Sequence, residues 1–439
     1  MTSRKASLGS DAPLRPIVSE LQIENFKSIA GAWDIPLGPI TLIYGPNSAG
    51  KSSIIQALAL LGCVVLRNGF TTSLGEPVNL NPKLPVLPLP SKLINRNATT
   101  TSGRLTVGIK FFDNDAPPSL KDLPHHISFT HSVTTGETIT GIGPFGLPDI
   151  YFSPEANEVS WKEPNRRIPL NEADRLDNIM EFLEAQAEYE DRLKTLYDFP
   201  IETQFDSRCE DISTFASKDL LPDNLIPPYT HLSNIISKYL SNLYDQLKES
   251  ATATAEQICY IDPLRQRDPL NDREAREALL SARTRKLLNK WFEQLGIDYR
   301  IDSNLALRNR DCNFDFTEVG TGLSQITPIL VECATGVEKV ICIEQPELHL
   351  HPKLSGDLAE LLAEAAVNGN QIIAETHSEH ILNRIRHLIR TNTLRPEDVC
   401  VLYVEPGIDS AEITRIRLDR EGDLVDTWPS TFFGEIYQY

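Results

Sequence analysis

Residues 45–52 read Gly45-Pro46-Asn47-Ser48-Ala49-Gly50-Lys51-Ser52. This matches G-x-x-x-x-G-K-[ST], a loop whose backbone N–H groups turn inward to cradle phosphate oxygens at a helix N-terminus. In that chemistry Lys51 reaches the β- and γ-phosphates and Ser52 reaches a Mg²⁺ ion. The loop follows the apolar run Ile40–Tyr44 and opens a stretch with Ile54, Ile55, Leu58 and Leu61 at helical spacing, which is the strand–loop–helix context the motif needs. The expected cofactors are therefore ATP and Mg²⁺, held by Gly45, Asn47, Ser48, Ala49, Gly50, Lys51, Ser52 and Ser53.

A second apolar run, Val340-Ile341-Cys342-Ile343, ends in Glu344. A carboxylate at the end of a buried strand is where P-loop enzymes hold Mg²⁺ together with the loop Ser or Thr, so Glu344 and Ser52 are the expected metal pair. Gln345 follows, where a glutamate would ordinarily polarise the attacking water. Glutamine can orient water but cannot accept its proton, so hydrolysis is expected to be slow, or Glu347 to substitute as base. His349 and His351 beside Glu347 resemble a metal cluster only superficially: residues two apart diverge on a helix, and no third ligand is evident.

These residues need elements to position them. Glu20–Ser28, Trp33–Leu37 and Ile40–Tyr44 read as extended runs, with a helix over Lys51–Leu61. Residues 79–90 are Pro-rich, excluding a central strand or helix. Leu105–Phe111 and Ile127–Val133 alternate as half-buried antiparallel strands do, and apolar residues between Leu176 and Leu247 fall at helical spacing. Another helix is expected over Asp272–Leu295. The runs Val340–Glu344, Gln371–Thr376 and Val399–Val404, separated by helical stretches, give a parallel-sheet α/β signature. Glu405, Asp419 and Asp423 imitate a nuclease acid set, but their segments read better as two terminal strands.

Composition bounds the rest. The 439 residues are 41% hydrophobic and 23% charged, which suits an ordinary globular protein. No apolar run is long enough for a bilayer crossing, and Met1–Arg15 has no apolar signal core, so a cytoplasmic location and no membrane partner are expected. Seven cysteines without a C-x-x-C pair indicate neither a disulfide framework nor a zinc site. The formal charge of −19 opposes non-specific attraction to nucleic acid, leaving DNA open only through a local basic patch.

The block Ile343-Glu344-Gln345-Pro346-Glu347-Leu348-His349-Leu350-His351-Pro352 closely resembles the Walker B and D-loop of overcoming-lysogenization-defect (OLD), RecF- and SMC-like ABC ATPases. Leu21–Ser28, Tyr260–Arg265, the signature-like Glu318–Gln325, Thr376-His377-Ser378 and the closing Trp428-Pro429 with Phe432-Phe433 resemble the same family. The resemblance covers both ends but not residues 70–255. It implies an α/β fold, an ABC-ATPase head with a mixed sheet, a P-loop and N-terminal antiparallel strands, interrupted by a helical insertion. The expected division is a disordered N-terminus (1–17), a first head part (18–150), the helical insertion (151–255) and a second head part (256–439).

The resemblance also implies a nucleotide sandwich. ATP on one P-loop is met by Gly322 and Ser324 of a second head, His377 stands near the γ-phosphate, and Asn25 and Lys27 lie near the nucleotide. A homodimer or higher homo-oligomer follows. With prolines at 200, 222, 227 and 228 no long coiled-coil arm is expected, and with 87 residues after Pro352, most of them used by the remaining head strands, no appended nuclease is expected. The expected function is a slowly hydrolysing ATPase that regulates a separately encoded, nuclease-like effector in anti-phage defence, similar to the ATPase subunits of PARIS and Septu systems. The alternatives are a RecF-like DNA-repair ATPase and a nucleotide-gated oligomeric scaffold without significant turnover.

Overall fold

The structure is a computed structural model that describes residues 14–66, 93–95, 103–111, 125–132, 138–144, 150–153, 158–161, 168–169, 252–263, 273–310, 312–314, 318–335 and 338–428. Its strands are β1 (Val18–Phe26), β2 (Ile29–Pro36), β3 (Ile40–Tyr44), β4 (Arg104–Phe111), β5 (His125–Ser132), β6 (Thr138–Pro144), β7 (Ile150–Ser153), β8 (Glu158–Trp161), β9 (Ile168–Pro169), β10 (Ile258–Ile261), β11 (Arg300–Ile301), β12 (Leu307–Asn309), β13 (Cys312–Phe314), β14 (Val340–Glu344), β15 (Gln371–Glu375), β16 (Val399–Pro406) and β17 (Ala411–Ile416). Its helices are α1 (Lys51–Leu66), α2 (Arg273–Leu279), α3 (Ala282–Gln294), α4 (Thr321–Thr335), α5 (Pro352–Val367) and α6 (Glu379–Arg390).

The central sheet has the order β10-β14-β15-β3-β16-β17, parallel except for the antiparallel edge β17. Every residue of β3, β14 and β15 is buried, as expected of parallel strands covered on both faces. Strand periodicity then sorts side chains between two cores. Val340 and Cys342 of β14, Ile373 of β15, Ile43 of β3, and Leu402 and Val404 of β16 point to the core containing α1 and the antiparallel strands β1, β4 and β5. Ile341 and Ile343, Ile372 and Ala374, Leu42 and Tyr44, and Val401 and Tyr403 point to the core containing α3–α6.

A second, antiparallel sheet runs β2-β1-β4-β5-β6-β7-β8-β9. Gln371 fastens it to the central sheet: its amide exchanges hydrogen bonds with Val18 (2.8 and 2.7 Å) and donates to Gly38 O at 3.0 Å. The mixed sheet, P-loop strand and N-terminal antiparallel strands of the expected head are thus present.

Three boundaries differ from expectation. The described residues between 150 and 169 are strands that prolong the antiparallel sheet, because β7–β9 continue its pairing. The remainder of the expected insertion, including the Leu176–Leu247 helical pattern, lies outside the described residues, as does the Pro-rich 79–90 segment. Residues 14–17 are packed rather than disordered: the Leu14 N–H bonds Asp398 Oδ1 at 2.9 Å and Ile17 is buried. The helix over Asp272–Leu295 is two helices, since Ser281 turns extended (φ −68°, ψ 125°) ahead of α3 and Arg285 caps the Leu279 and Leu280 carbonyls at 2.7 Å each.

The P-loop turn depends on glycine. Gly45 has φ +146°, and a Cβ there would lie 2.1 Å from Val404 O on the neighbouring strand. Gly31 also has positive φ, +71°, but nothing lies within 4 Å of its would-be Cβ. Gly31→Ala therefore carries only the conformational cost of about 1–2 kcal/mol, whereas Gly45→Ala must displace β16 backbone and is expected to cost about 3 kcal/mol or more. Chemical denaturation of the two variants checks this difference.

Candidate active site

Parallel packing brings the carboxyl ends of β14, β15 and β3 together. Glu344 is in register with Glu375, and Glu375 with Ile43, two residues before the P-loop. By period-2 alternation Glu344 follows Cys342 and Glu375 follows Ile373, so both carboxylates share the face covered by α1. Helix α1 begins at Lys51, so its N-terminus, Lys51 and Ser52 meet the carboxylates there.

Lys51 is 3% exposed; its Nζ donates to Pro46 O at 2.9 Å and stands 3.6 Å from Glu375 Oε1. Ser52 Oγ donates to Glu375 Oε2 at 2.6 Å. Glu344, 7% exposed, instead accepts from Tyr260 Oη at 2.8 Å and Gln56 Nε2 at 3.4 Å. Lys27 Nζ bonds Gln56 Oε1, which draws the β1–β2 turn to the same cluster.

Burial sets the charge states. Desolvation raises the Glu344 carboxyl above its ordinary range, with the Glu375 charge adding to the rise and the Tyr260 and Gln56 hydrogen bonds opposing it. Desolvation lowers the Lys51 and Lys27 ammonium values, opposed by Glu375 for Lys51 and by Glu344 for Lys27. His377 is also lowered, first by burial and then by the nearby Lys51 cation, which favours the neutral imidazole. The Tyr260 hydroxyl is raised by burial and by Glu344, so it serves as a donor.

The loop after β15 is tied to the block after β14. Glu347 Oε2 accepts from Thr376 Oγ1 at 2.9 Å and Oε1 from the His377 N–H at 2.7 Å. Tyr44 Oη holds Ser378 O at 3.1 Å from below. Gln345 adopts φ +47° and its N–H bonds Glu375 O at 2.8 Å, so the residues after Glu344 turn across the end of β15.

The structure places the loop residues as follows. Asn47 and Ser48 are exposed at the loop tip, Ala49 is buried beneath it, and Gly50 lies against Ser28, whose Oγ would be 2.3 Å from a Cβ there. Three other expected residues are enclosed instead. Asn25 is 6% exposed, and its side chain is engaged in holding the β1–β2 turn, accepting from the Gly31 N–H at 2.9 Å and donating to Arg104 O at 3.1 Å. Ser53 is enclosed with its Oγ 3.0 Å from Ser28 Oγ, supporting the loop from behind. Ser324 has no exposed surface, because it lies inside the first turn of α4 with its N–H on Gly320 O at 3.2 Å. In the same segment Glu318 and Gly320 are exposed and Val319, Gly322 and Leu323 half-buried. His351 is the N-cap of α5, its Nδ1 accepting from Lys353 N at 3.3 Å.

Glu375 was missed by the sequence reading, although the signal was the same as for Glu344: the run Gln371–Glu375 also ends in a carboxylate. Gln56, inside a largely buried, apolar helix, gave none. The donor set suits Mg²⁺, a hard ion that takes oxygen ligands from one or two carboxylates and from phosphates. Ser52, Glu375 and Glu344 would supply the oxygens, and Lys51 and the α1 N-terminus would meet the phosphates. A bound Mg²⁺ would neutralise phosphate charge during transfer.

The sequence family described as AAA ATPase domain (AAA_15) matches residues 149–382, just over half of the chain, and a second description, AAA domain, matches residues 20–62 across the P-loop. The chain belongs to the AAA ATPase domain family. Among curated proteins, an OLD nuclease of Thermus scotoductus is 44% identical over 45 residues, which is 10% of this chain and 8% of that relative. Among solved structures, the SMC head domain from Thermotoga maritima covers 91% of this chain and 99% of its own at 12% identity and TM-score 0.41. The Smc head of Pyrococcus furiosus, with an extended coiled coil and bound to the C-terminal domain of ScpA, covers 92% and 97% at 11% identity and TM-score 0.44. No helix among the described residues is long and apolar enough to cross a membrane.

A raised Glu344 has a stability consequence with a definite sign. The folded state holds the proton more tightly than the unfolded chain, so this group's contribution is full below the ordinary carboxylate range and is lost as pH rises through the elevated folded value. Glu344→Gln removes that loss. Urea unfolding should show the variant gaining on the wild type as pH increases from about 4 to 8, and a constant difference would contradict the placement.

Proposed function

We propose that this ATPase binds Mg-ATP in the cleft between its P-loop and the ends of β14 and β15. The observation that carries this reading is that Lys51 and Ser52, at the start of α1, both engage Glu375, which stands in register with Glu344. The P-loop N–H groups and Lys51 take the β- and γ-phosphates. Ser52, held by Glu375, offers oxygen lone pairs to Mg²⁺, and Glu344 completes the acidic side. His377, kept neutral, lies on the γ-phosphate side, next to Lys51.

Gln345 orients the attacking water without accepting its proton, so turnover is slow. Glu347 acts as a positioning residue, because both of its oxygens hold the Thr376–His377 loop. Lys27 supports Glu344 through Gln56. On this reading ATP joins two heads, with Gly320 and Gly322 at the start of α4 meeting the partner's nucleotide. The nucleotide-dependent pair then regulates a separately encoded, nuclease-like effector in anti-phage defence. The motif resemblance and the 45-residue likeness to an OLD nuclease support this role; the same motifs support an intracellular setting.

Phosphate-release assays test the site. Lys51→Ala should lower turnover at least about a hundredfold, the scale of removing one preorganised electrostatic partner. Gln345→Glu should raise it by about tenfold or more, by adding a base where only an orienting group stood. Wild-type turnover in Lys51→Ala would overturn the reading. Sedimentation with and without ATP tests the head pair: a nucleotide-dependent rise in mass is expected, and an unchanged mass rules the sandwich out.

A further inference from the structure

The hairpin that joins β16 to β17 carries an isoleucine with its whole side chain in solvent. Among the described residues the exposed large apolar side chains are Leu280, Ile408 and Val425, and Ile408 is the most exposed of them. A singly exposed apolar residue is ordinary on a protein surface, so its position decides what it can do. The hairpin closes with the Gly407 N–H on Ser410 O at 3.0 Å, which leaves Ile408 and Asp409 at its tip. Such tips favour glycine, asparagine and aspartate, and a β-branched apolar residue there is out of keeping with turn chemistry. Its stiff side chain holds one broad apolar face outward.

The hairpin is fastened beside the phosphate-binding loop. Ser410 Oγ accepts from the Ala30 N–H at 2.9 Å and lies 3.2 Å from Ala30 O, and the Ala411 N–H bonds Ser28 O at 2.8 Å. Ala411 is buried, its Cβ 3.3 Å from where a Gly50 Cβ would stand. Ile408 is three residues from Ala411, no more than about 11 Å of chain. Sheet order sets the direction of a bound nucleotide, because β3 runs between β15 and β16. With Mg-ATP placed as proposed above, the metal and terminal phosphates lie on the β15 side, where Glu375 holds Ser52. A nucleoside triphosphate is longer than the roughly 4.8 Å between strands, so its nucleoside end leaves across the end of β16.

Resting on that Mg-ATP reading, we infer that Ile408 is the apolar platform on which the purine ring of the nucleotide lies. The charged residues from 405 to 412 are Glu405, Asp409 and Glu412, all acidic, and Glu405 and Glu412 are direct cross-strand partners. Such a hairpin repels phosphate and accepts an uncharged ring that carries amino donors. The same acidity disfavours a second copy of the chain as the occupant, since that copy carries a formal charge of −19. An apolar platform responds to the area of a ring and not to its hydrogen-bonding edge. Purines are therefore held better than pyrimidines, and adenine is not told from guanine.

The test is calorimetric titration of the full chain, in Mg²⁺, with ATP, GTP, CTP and inorganic tripolyphosphate, which has the phosphates but no base. Ile408 lies wholly in solvent, so Ile408→Ser keeps the fold, as an unchanged melting temperature verifies. The variant should bind ATP and GTP about fivefold more weakly, the scale of covering half an isoleucine side chain. CTP should lose less, and tripolyphosphate nothing. Ile408→Trp, with a larger face, should tighten ATP. Equal ATP affinity in wild type and Ile408→Ser, or an equal loss with tripolyphosphate, would overturn the inference and leave the Mg-ATP site standing. A loss seen only at protein concentrations where copies pair would assign Ile408 to a contact between copies and overturn it too. If the wild type binds neither ATP nor tripolyphosphate, the Mg-ATP reading fails and this inference falls with it.

Discussion

Two carboxylates end adjacent, fully buried strands, and a lysine and a helix N-terminus lie against them. Glu344 and Glu375 would repel each other in a dry interior, and Lys51, 3.6 Å from Glu375, supplies the compensating charge. Breaking such a buried pair by removing one partner typically costs about 3–5 kcal/mol, because the remaining charge is left uncompensated. The separate partners of the two acids, Ser52 for Glu375 and Tyr260 for Glu344, keep them from acting as one group. Burial raises the Glu344 carboxyl first, and the neighbouring Glu375 charge adds to the rise.

The architecture follows from the need to bury this cluster while leaving one side open to a ligand. Parallel strands put all their carboxyl ends on one edge of the sheet, and covering both faces keeps that edge the accessible one. The α1 core supplies the helix that starts at Lys51, whereas the α3–α6 core carries the loops that close over it. Glu347 binds the backbone and side chain of the loop holding His377, so the segments after β14 and β15 are mechanically joined. Core thiols reinforce the same dry interior: burial pushes Cys342 up to about 12 and Cys400 up to about 11, which makes them packing groups rather than nucleophiles.

The P-loop and the parallel core were legible because glycine spacing and unbroken apolar runs are local signals. Gly45 was readable as a turn residue, but its closeness to Val404 O belongs to strand order, which no local pattern states. Glu375 ends its strand as Glu344 does, but only the sheet order that sets β15 beside β3 brings it against Ser52. Asn25 and Ser324 were assigned by resemblance, and the structure encloses both, since a turn and a helix interior needed them more than a ligand surface did. The α2–α3 break at Ser281 lies in a stretch whose helical spacing continues on either side, and no side-chain cap hydrogen bond marks it. The place of Ile408 was invisible to local pattern, as it depends on the pairing that sets β16 beside β3.

On the proposed function, Glu375, through Ser52, governs the metal side of the nucleotide site while Glu344 supports it from the next strand. Calorimetric titration of ATP into wild type, Glu375→Gln and Glu344→Gln, each with and without Mg²⁺, measures this directly. The account predicts that Glu375→Gln retains metal-free ATP binding and loses the additional affinity conferred by Mg²⁺, with a smaller loss in Glu344→Gln. Full magnesium enhancement in Glu375→Gln, with its loss confined to Glu344→Gln, would contradict it.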